Sequence, residues 1–243
     1  IDYAYLYRWG HTELLLKLRR ELLGHLEDPY LRLSNCSSLG LAYYSQNQVE
    51  VSLDFFYQAL ALARQIGDYQ MESVQLLRLG RAYRTLGKIH QAIELDQLAL
   101  QIVRDHNVLE TEGEILGNLG HAYNSIGQFV AAVECYQQSL AIARRTGNRL
   151  EEGVQTGRLG IAYCRLGRLE DALQYCEMAL QIARSLQDRR RICVWLGFLG
   201  SVYAIQQRSE QALVLVREAL AQAETLNDPR IASYRWWECG RIW

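Results

Sequence analysis

The chain has 243 residues, 49% of them hydrophobic and 22% charged, with a formal net charge of −1. That balance supports a buried core and excludes the basic footprint that non-specific nucleic-acid binding needs. No run of 18 apolar residues occurs to suggest a membrane-spanning helix, and no signal-peptide pattern is visible.

In chain order, residues 1–28 read as a degenerate leading helical repeat. Tyr3 falls in the frame of later tyrosines, and Thr12 is a candidate cap for a helix from Glu13 to about Leu26. Asp28-Pro29 then supplies an N-cap and a first-turn proline. From there glycine recurs at 40, 80, 120, 160, 200 and 240. The surrounding phrases are Leu39-Gly40-Leu41-Ala42-Tyr43, Leu79-Gly80-Arg81-Ala82-Tyr83, Leu119-Gly120-His121-Ala122-Tyr123, Leu159-Gly160-Ile161-Ala162-Tyr163 and Leu199-Gly200-Ser201-Val202-Tyr203. A strict 40-residue period without insertions predicts stacked units whose mutual interfaces carry the stability. Five such units span 29–228, and 229–243 reads as the first helix of a sixth.

Each unit reads as two helices. Leu76, Leu79, Gly80 and Tyr83 make one apolar stripe at helical spacing. The breaks at Asn47, Gly87, Gly127 and Gly167 suit a left-handed C-cap residue, with Gln207 a less suitable one. The second helices carry small residues in register, Ala92, Ala132, Ala172 and Ala212, with Ser52 the exception. They end at Gly67, Asn107, Gly147, Gln187 and Asn227. Gly117, Gly157 and Gly197 lie inside first helices at about 1 kcal/mol each against alanine. Close helix packing and close approach of a ligand are the two explanations. Asp96 stands where other units place Phe56, Tyr136, Cys176 and Val216. A local helix rotation that leaves it partly wet is the expectation there.

The cysteines, Cys36, Cys135, Cys164, Cys176, Cys193 and Cys239, form no C-x-x-C pair and no metal-ligand spacing with histidine. Free buried thiols in a reducing cytoplasm are expected, with no metal and no cofactor. No catalytic constellation and no phosphate loop is identifiable. The chain starts at Ile1 and stops at Trp243 within a helix pattern, so it is expected to be part of a longer protein. Trp236 falls on the core stripe, Trp237 on the edge beside it, and Trp243 in place of the repeat tyrosine. These predict a further helix beyond Trp243 and self-association of this piece through its C-terminal end.

The Leu-Gly-x-Ala-Tyr phrase, the later alanine and the Ala-Leu near the end of each second helix resemble tetratricopeptide repeats. The second helix here runs longer than in the 34-residue form and lacks its closing proline. In that it is similar to the repeats of kinesin light chains, G-protein-signalling modulators and bacterial Rap-type regulators. Tyr7-Arg8-Trp9-Gly10, leading through Leu22-Leu23-Gly24-His25-Leu26, resembles the lead-in of bacterial, especially cyanobacterial, signalling proteins with an NB-ARC-type NTPase domain. The resemblance implies an all-α, right-handed solenoid of antiparallel helix pairs that binds a partner on the face lined by its first helices.

Four positions, −6, −2, +1 and +5 from the repeat glycine, share the side of the first helix opposite the core stripe. In the middle repeats they carry Arg78, Arg81, Asn118, His121, Arg158 and Arg165, with Glu114 among them and apolar residues on either side. Arginine offers bidentate contacts to carboxylates, and asparagine pairs with peptide backbone. Asn118 and Arg158 match the position that in several tetratricopeptide domains holds the ligand main chain or terminal carboxylate. The expectation is a non-enzymatic, cytoplasmic docking arm for an acidic or C-terminal protein segment, with no nucleic acid and no membrane as partner. The alternative is a structural module for self-assembly. Small-molecule sensing ranks below both.

Overall fold

The computed structural model describes residues 12–224, which form eleven helices and no strand. These are α1 (Thr12–Leu23), α2 (Pro29–Ser45), α3 (Val49–Ile66), α4 (Tyr69–Thr85), α5 (Ile89–Asp105) and α6 (Leu109–Ser125). There follow α7 (Phe129–Arg145), α8 (Arg149–Arg165), α9 (Leu169–Ser185), α10 (Arg189–Ile205) and α11 (Ser209–Glu224). The chain divides into two compact units, Ile1–Ala122 and Tyr123–Trp243, the division falling inside α6. In the first unit α1 packs on α2, α2 on α3, α3 on α4 and α4 on α5. In the second, α7 packs on α8, α8 on α9, α9 on α10 and α10 on α11, and α8 also touches α10. Helix α1 stops at Leu23, three residues short of the expected Leu26. Trp236, Trp237, Trp243, Cys239, Asn227, Tyr3 and the Tyr7–Gly10 lead-in lie outside the described residues.

Helix starts follow from short polar side chains. Asp28, Asp68, Asn148 and Asp188 each accept a hydrogen bond from a first-turn backbone N–H, those of Tyr30, Met71, Glu151 and Arg191, at 2.9–3.1 Å. Helix ends follow from left-handed residues. Within the pairs these are Asn47, Gly87, Gly127, Gly167 and Gln207, and between pairs Gly67, Asn107, Gly147 and Gln187, with φ from 54° to 80°. Gln187 and Gln207 hold a backbone conformation that costs a side-chain-bearing residue roughly 1–2 kcal/mol.

The repeat tyrosine closes each turn. The carbonyls of Tyr43, Tyr83, Tyr123, Tyr163 and Tyr203 accept from the N–H groups of Gln48, Lys88, Gln128, Arg168 and Arg208 at 2.9–3.0 Å. Three of those donors also lay their cations over the ring they close on. Lys88 Nζ sits 5.8 Å from the Tyr83 centroid, and the guanidinium carbons of Arg168 and Arg208 sit 4.7 Å from those of Tyr163 and Tyr203.

The repeat glycine is where the two helices of a pair cross closely. A methyl at Gly40 would lie 2.5 Å from the Phe56 ring, and one at Gly200 would lie 2.8 Å from Val216. Gly80 and Gly160 face Asp96 and Cys176 in the same way. One turn away, Ala92, Ala132, Ala172, Ala212 and Ser52 are fully buried, so the small residues in register serve the approach of the helices. Leu39, Leu79, Leu119, Leu159 and Leu199 are buried to within 2% of completeness.

Two expectations from sequence are settled by packing. Asp96 is not partly wet: it is 0% exposed on a regular helix, because Gly80 leaves room for its carboxylate and Arg84 stands opposite. At Gly157 close packing is the explanation, since the six-membered ring of Trp195 from α10 occupies the place of a Cβ.

Candidate functional site

First helices of successive repeats run side by side within each unit, so side chains on one bond to the next. In the first unit this seam joins α2, α4 and α6. Ser37 Oγ donates to Gln75 Oε1 at 3.0 Å. Arg78 Nη1 donates to Ser37 Oγ, and reaches Gln75 Oε1 at 3.4 Å. Gln75 is fully buried and its Nε2 has no partner. Arg78 is half-buried, and burial, with Arg81 adding to it and Glu114 opposing, pulls its guanidinium below its ordinary range. Both partners of Nη1 are neutral, so the cation sits partly desolvated without bonding an anion there.

Arg81 meets Glu114 across the α4–α6 seam, Nη2 to Oε1 at 2.8 Å, with both side chains about half exposed. Such a pair contributes about 0–1 kcal/mol and exchanges readily for another carboxylate. Asn118 is 7% exposed, and its Oδ1 accepts from Arg84 Nη2 at 3.1 Å. His121 is exposed on α6. Arg78, Arg81, Asn118 and His121 thus all belong to the first unit, though Asn118 is far more covered than an open surface residue.

Arg158 and Arg165 belong to the second unit. The Arg158 guanidinium carbon lies 6.0 Å from the Tyr136 ring centroid, and Arg165 is exposed. Around them the face is apolar: Ile161, Val194 and Phe198 are half-buried and pack against a buried cluster that includes Trp195, Leu196 and Leu199. Val154 is half-buried, and Ile205 at the end of α10 is 58% exposed.

Sequence reading singled out Asp96 but missed its partner Arg84, behind the first-unit face. Asp96, with Oδ2 3.7 Å from Arg84 Nη1, has its carboxyl pushed up to about 7 by burial, against the pull of Arg84 and Arg81. A signal for this pair was present. Positions +4 and +16 from the repeat glycine hold Tyr44 and Phe56, Asn124 and Tyr136, Cys164 and Cys176, and Ala204 and Val216. Only in the second repeat are they opposite charges. Also missed was a staple between pairs: Arg64 to Glu72, Arg104 to Glu112 and Arg144 to Glu152 at 2.7–3.2 Å. In the next repeat Ile192 replaces the glutamate, and Arg184 turns to Glu218 at 2.7 Å.

Among the described residues, no group of three or more His, Cys, Asp or Glu side chains is placed to hold a metal ion. The five described cysteines are in no disulfide. No described helix is long and apolar enough to cross a membrane.

Tetratricopeptide repeat models match residues 32–105 and 154–225, and a second such model matches 115–150. The chain belongs to the tetratricopeptide repeat family and is a protein-interaction scaffold, a fold that is typically non-catalytic. No curated protein matches it in sequence. Several solved structures share its fold. BtubC (BKLC) from P. vanneervenii is 20% identical with a TM-score of 0.77, each chain covering 93% of the other. A signal transduction ATPase with numerous domains and a tetratricopeptide repeat sensor, from Pyrococcus horikoshii, is 20% identical with a TM-score of 0.81. There the match covers 97% of this chain and 36% of that one. The apo form of the quorum sensor NprR from B. thuringiensis is 18% identical with a TM-score of 0.77, over 97% of this chain and 66% of that one.

Proposed function

We propose that this chain is the docking or sensing arm of a larger cytoplasmic signalling protein, and that it holds acidic or C-terminal peptide segments on the first-helix faces of its units. The observation that carries this reading is Arg78. A half-buried guanidinium with neutral hydrogen-bond partners gains more from a ligand carboxylate than a fully hydrated one does. Beside it, Arg81 holds only an exposed pair with Glu114 that a ligand carboxylate can replace. In the second unit, Arg158 and Arg165 stand among Val154, Ile161, Val194 and Phe198, which suits a segment alternating carboxylates with apolar side chains. The sensor from Pyrococcus horikoshii and the quorum sensor NprR support a signalling role for this fold. The tetratricopeptide repeat fold is typically a non-catalytic scaffold, so the reading assigns no catalytic step.

The test is fluorescence anisotropy with a panel of labelled peptides. The panel contains an alternating Glu-Leu peptide with a free C-terminal carboxylate, its C-terminal amide, and its lysine-for-glutamate counterpart. The acidic free-acid peptide is expected to bind tightest. Arg78→Glu and Arg158→Glu are each expected to weaken it at least tenfold while the helical circular dichroism stays unchanged. Equal affinity across the panel, or affinity unchanged by both variants, rejects the reading.

A further inference from the structure

Behind the first-unit face lies a three-residue chain of contacts that the docking reading does not use. Asp96 is 0% exposed on α5, with its Oδ1 set against Gly80, in space that a Cβ would fill. Neither of its carboxylate oxygens receives a hydrogen bond. The Arg84 guanidinium lies between it and Asn118. Nη1 is 3.7 Å from Asp96 Oδ2 and 3.4 Å from the Asn118 carbonyl oxygen, and Nη2 is 3.1 Å from Asn118 Oδ1. The Arg84 side chain is 13% exposed, so it acts in a site of low dielectric.

Arginine is a donor only. Where its fork meets Asn118, the carboxamide must turn its oxygen toward Arg84. The NH2 end is what remains to donate to a peptide carbonyl. The guanidinium is held in turn by the buried Asp96 carboxylate on α5, 3.7 Å from Nη1. We propose that Arg84 and Asp96 are positioning residues for peptide docking: Asp96 anchors Arg84 from behind, and Arg84 fixes the Asn118 carboxamide with its NH2 end toward the partner. This rests on the reading that the first-helix face of this unit is where the partner binds.

Other charged groups face the same place. Arg81 on α4 favours the Asp96 anion, and Glu114 on α6 disfavours it. His121 lies one turn beyond Asn118 on α6. Neutralising Asp96 removes the anchor behind the Arg84 guanidinium. The geometry therefore links the set of the Asn118 carboxamide to the charge on Asp96, whose carboxyl burial brings close to neutrality.

The test needs no partner in its first arm. In the 13C,15N-labelled 243-residue chain, the side-chain NH2 resonances of Asn118 are identified by their loss in Asn118→Asp. They are expected to shift between pH 5 and 9 with the midpoint of the Asp96 carboxyl carbon. Asp96→Asn and Arg84→Lys are each expected to abolish the shift, the lysine because it keeps the charge but has no second nitrogen for the fork. Resonances that stay flat with pH, or that titrate unchanged in Asp96→Asn through His121 or Glu114, overturn the proposal. In the second arm, Arg84→Lys is expected to weaken the acidic Glu-Leu peptide about tenfold, with no further loss when Asn118→Ser is added. Affinity unchanged in Arg84→Lys overturns the positioning role. A wild-type chain that ignores the peptide rejects the docking reading instead, and the resonances then decide the relay alone.

Discussion

The two units use the same helix pair and expose different chemistry. In the first, the seam between first helices is polar: Ser37, Gln75, Arg78, Arg84 and Asn118 bond across it. In the second, the seam is apolar, with Trp195 seated in the gap at Gly157 and Ile161, Val194 and Phe198 around it. The shared part is what holds a helix pair together, namely the leucine, the glycine and the small residue opposite. The part that differs lies at the positions between neighbouring repeats. A repeat array can vary those positions because its backbone is fixed by turns and by close crossing points within each pair.

That contrast makes the shared core the first thing to test. Leu119→Ala in the first unit and Leu159→Ala in the second should each cost about 2–5 kcal/mol in urea unfolding, since both side chains are essentially buried. A several-fold difference between them would break the claim of a common core.

The next effect belongs to the first unit alone. The Asp96 carboxyl stands at about 7 in the folded chain, whereas an unfolded aspartate titrates near 3.9. The folded chain therefore binds the extra proton, and this contribution is complete below about pH 4. It is lost as pH rises toward 7 and is constant above that, a change on the order of 4 kcal/mol. Unfolding of the wild type and of Asp96→Asn between pH 4 and 8 should differ by that slope. Parallel curves would show that the buried acid carries no such cost.

The corresponding effect in the second unit is steric. Gly157→Ala places a methyl against the Trp195 ring and should cost about 1–3 kcal/mol, whatever the pH. A neutral substitution would mean that Trp195 moves aside easily, and the apolar seam would then be looser than the polar one. The smallest effect sharpens the distinction between stability and binding. Arg81→Ser should change stability by less than about 1 kcal/mol, because its pair with Glu114 is exposed, yet weaken the acidic peptide severalfold.

Much of this molecule is legible along the chain. The 40-residue period, the Asp and Asn caps, the left-handed turn residues and the leucine stripe act through hydrogen bonds and packing within one or two turns. Local sequence therefore determines the helices, their ends and their pairing. The arginines and the asparagine of the candidate face are also visible as a stripe.

What the stripe cannot contain is the identity of each residue's neighbour. Arg84 meets Asp96 from 12 residues away and Asn118 from 34, and Trp195 fills the gap at Gly157 from 38. The first encounter exists only once the two helices of a pair cross, and the other two only once helices of different repeats lie side by side. Whether Asp96 is wet or sealed, and whether Asn118 is open or tethered, depends on desolvation by those neighbours, and only the tertiary structure decides it.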